Sequence, residues 1–143
     1  MTDRLTPQQR SALMARVRGK DSAPELVVRR LLHAMGWRYR LHAGDVPGKP
    51  DIVVRGRRRA IFVHGCFWHR HEGCRRATMP ATRVEFWTAK FAANVERDRR
   101  VFEALRLAGW NVLVVWECEL KDREALAVRL NTFMRDDVTS GAF

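Results

Sequence analysis

The stretch Asp51-Ile-Val-Val-Arg-Gly-Arg-Arg-Arg-Ala-Ile-Phe-Val63 sets two short apolar runs either side of Arg55-Gly-Arg-Arg58. Runs rich in Val, Ile and Phe, broken by a polar turn containing glycine, predict a β-hairpin: one strand over 51–54, a second over 60–63. Before it, Asp45-Val-Pro-Gly-Lys-Pro50 is a turn-rich loop, and Trp37 to Leu41 predicts another strand. Helices precede these strands. Thr6-Pro7 can start a short helix to about Arg18. Ser22 and Glu25 have capping-box spacing with Pro24 between them, and a second helix follows to Met35, stopped by Gly36.

After the hairpin, His64 to Pro80 shows no period. Thr82 and Glu85 form a further capping-box pattern, opening a long helix to Ala108 that Gly109 ends. Asn111-Val-Leu-Val-Val-Trp116 is an apolar run suited to a buried strand. A last helix covers about Arg123 to Met134. The order predicts a small α/β domain over residues 1–143, a mixed sheet flanked by helices. Residues 1–20 would carry the N-terminal helix, and 136–143 would fray.

The chain has 143 residues, enough to bury a core without disulfides. Lys and Arg number 27 against 16 acids, a net charge of +11, and most of the excess is Arg, which grips phosphate bidentately. A basic globular domain points to nucleic acid or, less often, an anionic membrane. No apolar run approaches the roughly 20 residues a membrane span needs. The N-terminus MTDRLTPQQR lacks the apolar core of a signal peptide, so the expected location is cytoplasmic. Three cysteines in a reducing compartment are free thiols or metal ligands.

Cys66-Phe-Trp-His-Arg-His-Glu-Gly-Cys74 packs two Cys and two His into nine residues, and Cys118 follows the last strand. Cys66, His71, Cys74 and Cys118 make a tetrahedral zinc set with no open position, hence a structural site. The ordinary alternative is scattered thiols in a basic loop. His69 competes with His71 as ligand.

Asp51 opens the first hairpin strand, and the second ends at Val63 with His64 next. The pairing would bring Asp51 and a backbone carbonyl near Val63 to one sheet edge, where oxygen ligands suit a hard cation such as magnesium. Otherwise Asp51 simply ends its loop. On the long helix, Val84, Trp87, Phe91, Val95, Phe102 and Leu105 mark an apolar face, and Asp98 falls within it. A desolvated acid needs a partner: a histidine, a metal site, or a neighbour such as Arg97 or Arg99. His64 and His69 flank the proposed metal edge, and histidine is a natural base near neutral pH. Glu25 reads more simply as the capping partner of Ser22.

Phe67 and Trp68 are adjacent in a basic loop and cannot easily both enter one core; such pairs stack on or wedge between bases. Trp87, Lys90 and Asn94 follow one another at about one helical turn, and Met14 lies among Arg10, Arg16 and Arg18. For Met14 and Trp87, core packing is the simpler reading.

Together these segments resemble the very short patch repair endonucleases, over about Arg10 to Glu119. The specific pieces are Pro47-Gly-Lys-Pro-Asp51, Ile61-Phe-Val-His-Gly-Cys-Phe-Trp-His69, Ala81-Thr-Arg-Val-Glu-Phe-Trp87, Asn94-Val-Glu-Arg-Asp-Arg-Arg100 and Val115-Trp-Glu-Cys118. The resemblance implies a fold related to the PD-(D/E)xK nucleases. It implies nicking of one strand of double-stranded DNA, 5′ to the thymine of T·G mismatches left by 5-methylcytosine deamination. It implies magnesium at Asp51 with the Val63 carbonyl, His69 as base oriented by Asp98, and support from Glu25 and His64. Zinc would sit on Cys66, His71, Cys74 and Cys118. Phe67, Trp68 and Trp87 would wedge into the duplex, Met14 would enter the other groove, and Lys90 and Asn94 would read the mismatched pair. This chain carries Val63 where the family commonly has Thr, one residue more between His71 and Cys74, and a short end after the last strand. A monomer is the default, with mismatch-repair proteins as possible partners. The rival readings are a zinc-dependent DNA-binding module without catalysis, and a same-fold nuclease that does not select mismatches.

Overall fold

A computed structural model of the chain describes residues 22–135. The expected N-terminal helix with Met14, and the expected frayed tail, lie outside these residues. Helix α1 spans Ala23–Ala34. Ser22 caps it, its side chain accepting from the Glu25 backbone N–H at 3.4 Å. Gly36, at φ 89°, turns the chain away. Strand β1 is short, Arg40–Leu41, where a strand from Trp37 was expected. Strands β2 (Ile52–Val54) and β3 (Arg59–His64) follow. Between them lies a 3₁₀ turn, Arg55–Arg57, closed by left-handed Arg58. Helix α2 is Val84–Leu107, β4 is Asn111–Trp116, a 3₁₀ turn covers Glu117–Lys121, and α3 is Arg123–Arg135.

The strands lie in the order β1-β2-β3-β4. The expected hairpin is present: β2 and β3 pair antiparallel, Ile52 opposite Ile61. β1 adds antiparallel to β2, and β4 runs parallel to β3. The sheet is therefore mixed, as the element order requires, because the α2 crossover returns the chain parallel.

Side-chain alternation divides the sheet into two faces. Ile52, Ile61, Leu113 and Val115 pack with Val28 and Leu32 of α1 and Leu126, Leu130, Phe133 and Met134 of α3. Val53, Ala60, Phe62, Val112 and Val114 pack on the opposite face with Leu105 of α2 and Trp110. Helices thus cover both faces. None in the described residues is long and apolar enough to cross a membrane.

Two expectations are corrected at α2. The Thr82–Glu85 capping box does not form: left-handed Arg83 (φ 54°) precedes the helix, with no side-chain cap bond. The apolar face is also rotated. Val84 and Val95 are exposed, and the buried residues are Phe91, Asn94 and Leu105. Asn94 takes the inward position because its amide has a backbone partner in the loop that precedes α2.

Candidate active site and thiol-imidazole centre

The hairpin register places Asp51 beside the end of β3. Its Oδ2 accepts from the Val63 backbone N–H at 2.7 Å. Asp51 is thus tied to Val63, through the amide. Burial pushes the Asp51 carboxyl up to about 6; the adjacent Glu25 carboxylate pushes the same way, while the Val63 N–H and the charge of His42 oppose.

Glu25 arrives from the first turn of α1. Its side chain does not serve the cap: it is 2% exposed, ion-paired with Arg29, and 3.0 and 3.1 Å from His42 Nε2. The capping reading therefore holds for its backbone alone. Donor atoms of Glu25, His42 and Asp51 all lie within 4.8 Å of one another. Sequence reading passed over His42. The signal was its place: His42 and Asp51 are the two ends of the loop between β1 and β2, joined by His42 N–H to Asp51 O at 3.1 Å.

Glu25, Asp51 and His69 line one cleft of about 700 Å³, with Asp98, Arg97, Lys49 and Glu117 among the other lining residues. His69 Nδ1 lies 2.7 Å from Asp98 Oδ2. A carboxylate only accepts, so Nδ1 carries a proton, and in the neutral ring the lone pair is then on Nε2. Arg99, an alternative partner for Asp98, pairs instead with Glu96 and Glu103. The His64 ring stacks on His69 at 3.6 Å and 8°. Burial, then the charge of His69, pushes His64 down to about 3 against the pull of Asp98, so His64 is a neutral platform at physiological pH.

Cys66, His71, Cys74 and Cys118 converge with donor atoms within 4.8 Å of one another. His71 Nδ1 is 3.6 Å from Cys66 Sγ and 3.4 Å from Cys118 Sγ. A tetrahedron with metal–sulfur near 2.3 Å and metal–nitrogen near 2.05 Å has an S···N edge of about 3.6 Å. The set therefore fits a soft tetrahedral ion. His71 stacks on Trp116 at 4.2 Å. His71, not His69, is the histidine that converges with the three cysteines; His69 lies with Asp98. The centre joins the loop after β3 to the end of β4.

Between the first two members of that set stand Phe67, Trp68 and His69. Phe67, Trp68 and Trp87 are half-buried, neither in the core nor free. Phe67 meets Trp68 at 5.0 Å and Phe91 at 5.1 Å edge-on, and Trp68 lies 5.9 Å from Trp87. Asn94, expected with Lys90 as a reader of the mismatched pair, is buried and donates from Nδ2 to the Trp68 carbonyl at 3.2 Å. Lys90 is half-buried on the helix. Arg70, not singled out from sequence, donates to the carbonyls of Phe67, Ala77 and Thr78 and covers the Phe91 ring at 4.0 Å. It fastens the loop around its aromatics.

Residues 2–76 match the family described as DNA mismatch endonuclease Vsr. The chain is 52% identical over 134 residues to the type II nicking enzyme V.XorIIP of Xanthomonas oryzae pv. oryzae, covering 94% of this chain and 98% of that one. It is 47% identical over 117 residues to the DNA mismatch endonuclease Vsr of Escherichia coli, covering 82% and 74%. With V.NmeAIP, a type II nicking enzyme of Neisseria meningitidis, identity is 40% over 136 residues, 95% and 96% of the two chains. Among solved structures, the catalytic domain of the homing endonuclease I-Bth0305I superposes with a TM-score of 0.60 at 21% identity, over 82% of this chain and 99% of that one, a likeness of fold. With a family match over half of its length and relatives 47% and 52% identical along most of the chain, this protein belongs to the Vsr family of DNA endonucleases.

Proposed function

We propose that the chain nicks one strand of double-stranded DNA, 5′ to the thymine of a T·G mismatch left by 5-methylcytosine deamination, by magnesium-dependent hydrolysis. The observation that carries the chemistry is the His69–Asp98 pair lining one cleft with Asp51 and Glu25. His69 Nε2 takes a proton from water as its oxygen forms a bond to phosphorus. Asp98 holds Nδ1–H and stabilises the imidazolium. The bond from phosphorus to the 3′ oxygen breaks, and that oxygen takes a proton from solvent, leaving a 5′ phosphate. Asp51, with the Val63 carbonyl, holds magnesium, which supplies neutralising charge at the phosphate and the leaving oxygen. Glu25 and His64 support that arrangement, His64 as an uncharged surface against the base.

Cys66, His71, Cys74 and Cys118 hold zinc in a closed structural site. Phe67, Trp68 and Trp87 wedge into the duplex, at least cost where stacking is already weak, so a mismatch is favoured over an intact pair. Lys90 reads the mismatched pair, and Asn94 supports the wedge through Trp68. Met14 enters from the other groove. On this reading the protein is a cytoplasmic monomer, one domain over 1–143 with a fold related to the PD-(D/E)xK nucleases, working beside mismatch-repair proteins. The test is nicking of duplexes carrying T·G, other mismatches or none, with magnesium and with EDTA. Cleavage of T·G alone, lost in EDTA and in His69→Ala and Asp51→Ala while DNA binding persists, is the expected outcome. Equal cutting of matched DNA would refute the mismatch selectivity. Binding with no cutting would make the chain a zinc-dependent DNA-binding module.

A further inference from the structure

Among the described residues that line the cleft of Glu25, Asp51 and His69, the lysine and arginine side chains are Lys49 and Arg97. The acids of the same cleft are engaged elsewhere. Glu25 pairs with Arg29 and His42, and Asp51 accepts from the Val63 N–H. Asp98 holds His69, and Glu117 accepts from the Cys66 N–H at 3.1 Å. Arg97 adjoins Asp98 in the sequence, yet its side chain makes no hydrogen bond or ion pair among the described residues, and neither does that of Lys49. Arg99, two residues along α2, is held by Glu96 and Glu103. One contact brings the two cations to the same cleft. Gly48, at φ 75°, lies so close to α2 that a β-carbon there would overlap Val101 Cγ1. Val101 is one turn beyond Arg97 on the same side of the helix. Lys49 follows Gly48 in a left-handed conformation of its own, φ 49°, which a β-carbon disfavours and sites of function tend to retain.

Glu25, Asp51, Asp98 and Glu117 make the cleft acidic, and one divalent ion with Arg29 leaves it short of neutral before a phosphate arrives. A phosphodiester bound there needs further positive charge. We propose that Arg97 and Lys49 grip the non-bridging oxygens of the phosphate at the nick, Arg97 beside the His69–Asp98 pair and Lys49 beside Asp51. Arg97 offers a fork of donors and Lys49 a point charge. Neither exchanges a proton. Both offset the charge that gathers on the phosphate oxygens as water adds to phosphorus. The inference rests on the nicking chemistry assigned under Proposed function and names two residues that touch its substrate.

The test changes protein and substrate together. T·G duplexes carry an uncharged methylphosphonate at the nick or at one neighbouring phosphate, and binding to the full chain is measured without added magnesium, so that no catalytic ion contributes. On unmodified DNA, Arg97→Gln and Lys49→Gln each bind about tenfold more weakly, and the slope of log affinity against log salt becomes shallower by about 1 in each. Arg97→Lys restores that slope. Neutralising the phosphate at the nick costs the wild type about 100-fold, each single variant about tenfold, and the double variant no more than about twofold. With magnesium, Arg97→Gln nicks unmodified DNA about 10²-fold more slowly. Arg123→Gln, at an exposed arginine that opens α3 outside the cleft, binds as the wild type does. Equal weakening in Arg123→Gln overturns the proposal, because the effect would then be one of net charge. So does a penalty at the nick that is as large in the variants as in the wild type, or a coupling found only at the neighbouring phosphate. A wild type that fails to nick in magnesium while the coupling holds overturns the nicking chemistry and leaves the two contacts standing.

Discussion

Replacing Asp98 by Asn removes one charge, keeps the side-chain shape, and strikes at the base without touching the metal edge. In the structure His69 Nδ1 sits 2.7 Å from Asp98 Oδ2, and the two side chains are 23% and 17% exposed. When His69 accepts a proton it becomes a cation beside that carboxylate. A unit pair about 4 Å apart at an effective dielectric near 20 interacts by ~4 kcal/mol. Partial exposure roughly halves this, leaving ~2 kcal/mol, about 30-fold in rate. The amide adds a second penalty. Its NH₂ can donate to Nδ1, which moves the ring proton to Nε2 and removes the lone pair that faces water. Together the two effects slow nicking by about 10² to 10⁴-fold. The assay is single-turnover nicking of a T·G duplex at saturating magnesium, with DNA affinity measured in parallel. Binding stays within about twofold, so the loss lies in the chemical step. A rate within about threefold of wild type would refute the role given to the pair.

Four further outcomes follow from the geometry. Cys118→Ala leaves the β4 end of the thiol-imidazole centre without its ligand: metal analysis finds well under one zinc per chain, and proteolysis within 65–80 speeds up, whereas retained stoichiometric zinc would remove Cys118 from the set. Gly48 sits at φ 75°, where a β-carbon is strained and would also overlap Val101 Cγ1. Gly48→Ala costs ~2–3 kcal/mol, lowering Tm by about 5–10 °C, and adding Val101→Ala recovers the part due to overlap. In the absence of magnesium, His64 and Asp51 give opposite pH slopes to stability. The folded state holds His64 neutral down to about 3, so an unfolded chain, titrating near 6.5, binds an extra proton there as pH falls and stability drops; Asp51 at about 6 binds its proton earlier when folded, so stability rises as pH falls from 6 toward 3.8. The two cancel between about pH 4 and 6, and Asp51→Asn unmasks a loss of ~1.4 kcal/mol per pH unit, read from urea midpoints; a variant whose slope matches wild type would refute the cancellation. Finally, Arg70→Met frees the carbonyls of Phe67, Ala77 and Thr78, and the preference for T·G over matched DNA falls about tenfold, with zinc content unchanged.

The hairpin was legible because Asp51–Val63 alternates β-branched runs with a glycine-bearing turn, and register alone then put Asp51 at the end of β3. The thiol-imidazole set was legible because cysteine is scarce here and three of them left few combinations. Asp98 stands out as an acid among apolar neighbours, yet apolar spacing puts the face through Val95 whereas α2 rests on Asn94. Helical period fixes spacing but not rotation, and an asparagine with a buried backbone acceptor can outcompete a valine for the inward position. The Thr82–Glu85 pattern did not cap, since left-handed Arg83 supplies the turn into α2. Glu25 satisfied a local pattern with its backbone while its side chain answered to residues far along the chain. His42 was invisible for the same reason: its partner was identifiable only once the β1–β2 ladder was known.

One loop geometry has a consequence for how such an enzyme can change. Cys66 and His71 bracket Phe67, Trp68 and His69, so the proposed probe of the duplex and the proposed base hang from the same two pegs. A machine whose gauge and blade share one bracket keeps them aligned without a separate linkage. It also forbids retuning either alone, because a shift of the aromatics carries the imidazole with it. New substrate preferences in this lineage should therefore arise on α2, at Trp87 and Lys90, where side chains can vary against a fixed loop, rather than within the loop itself.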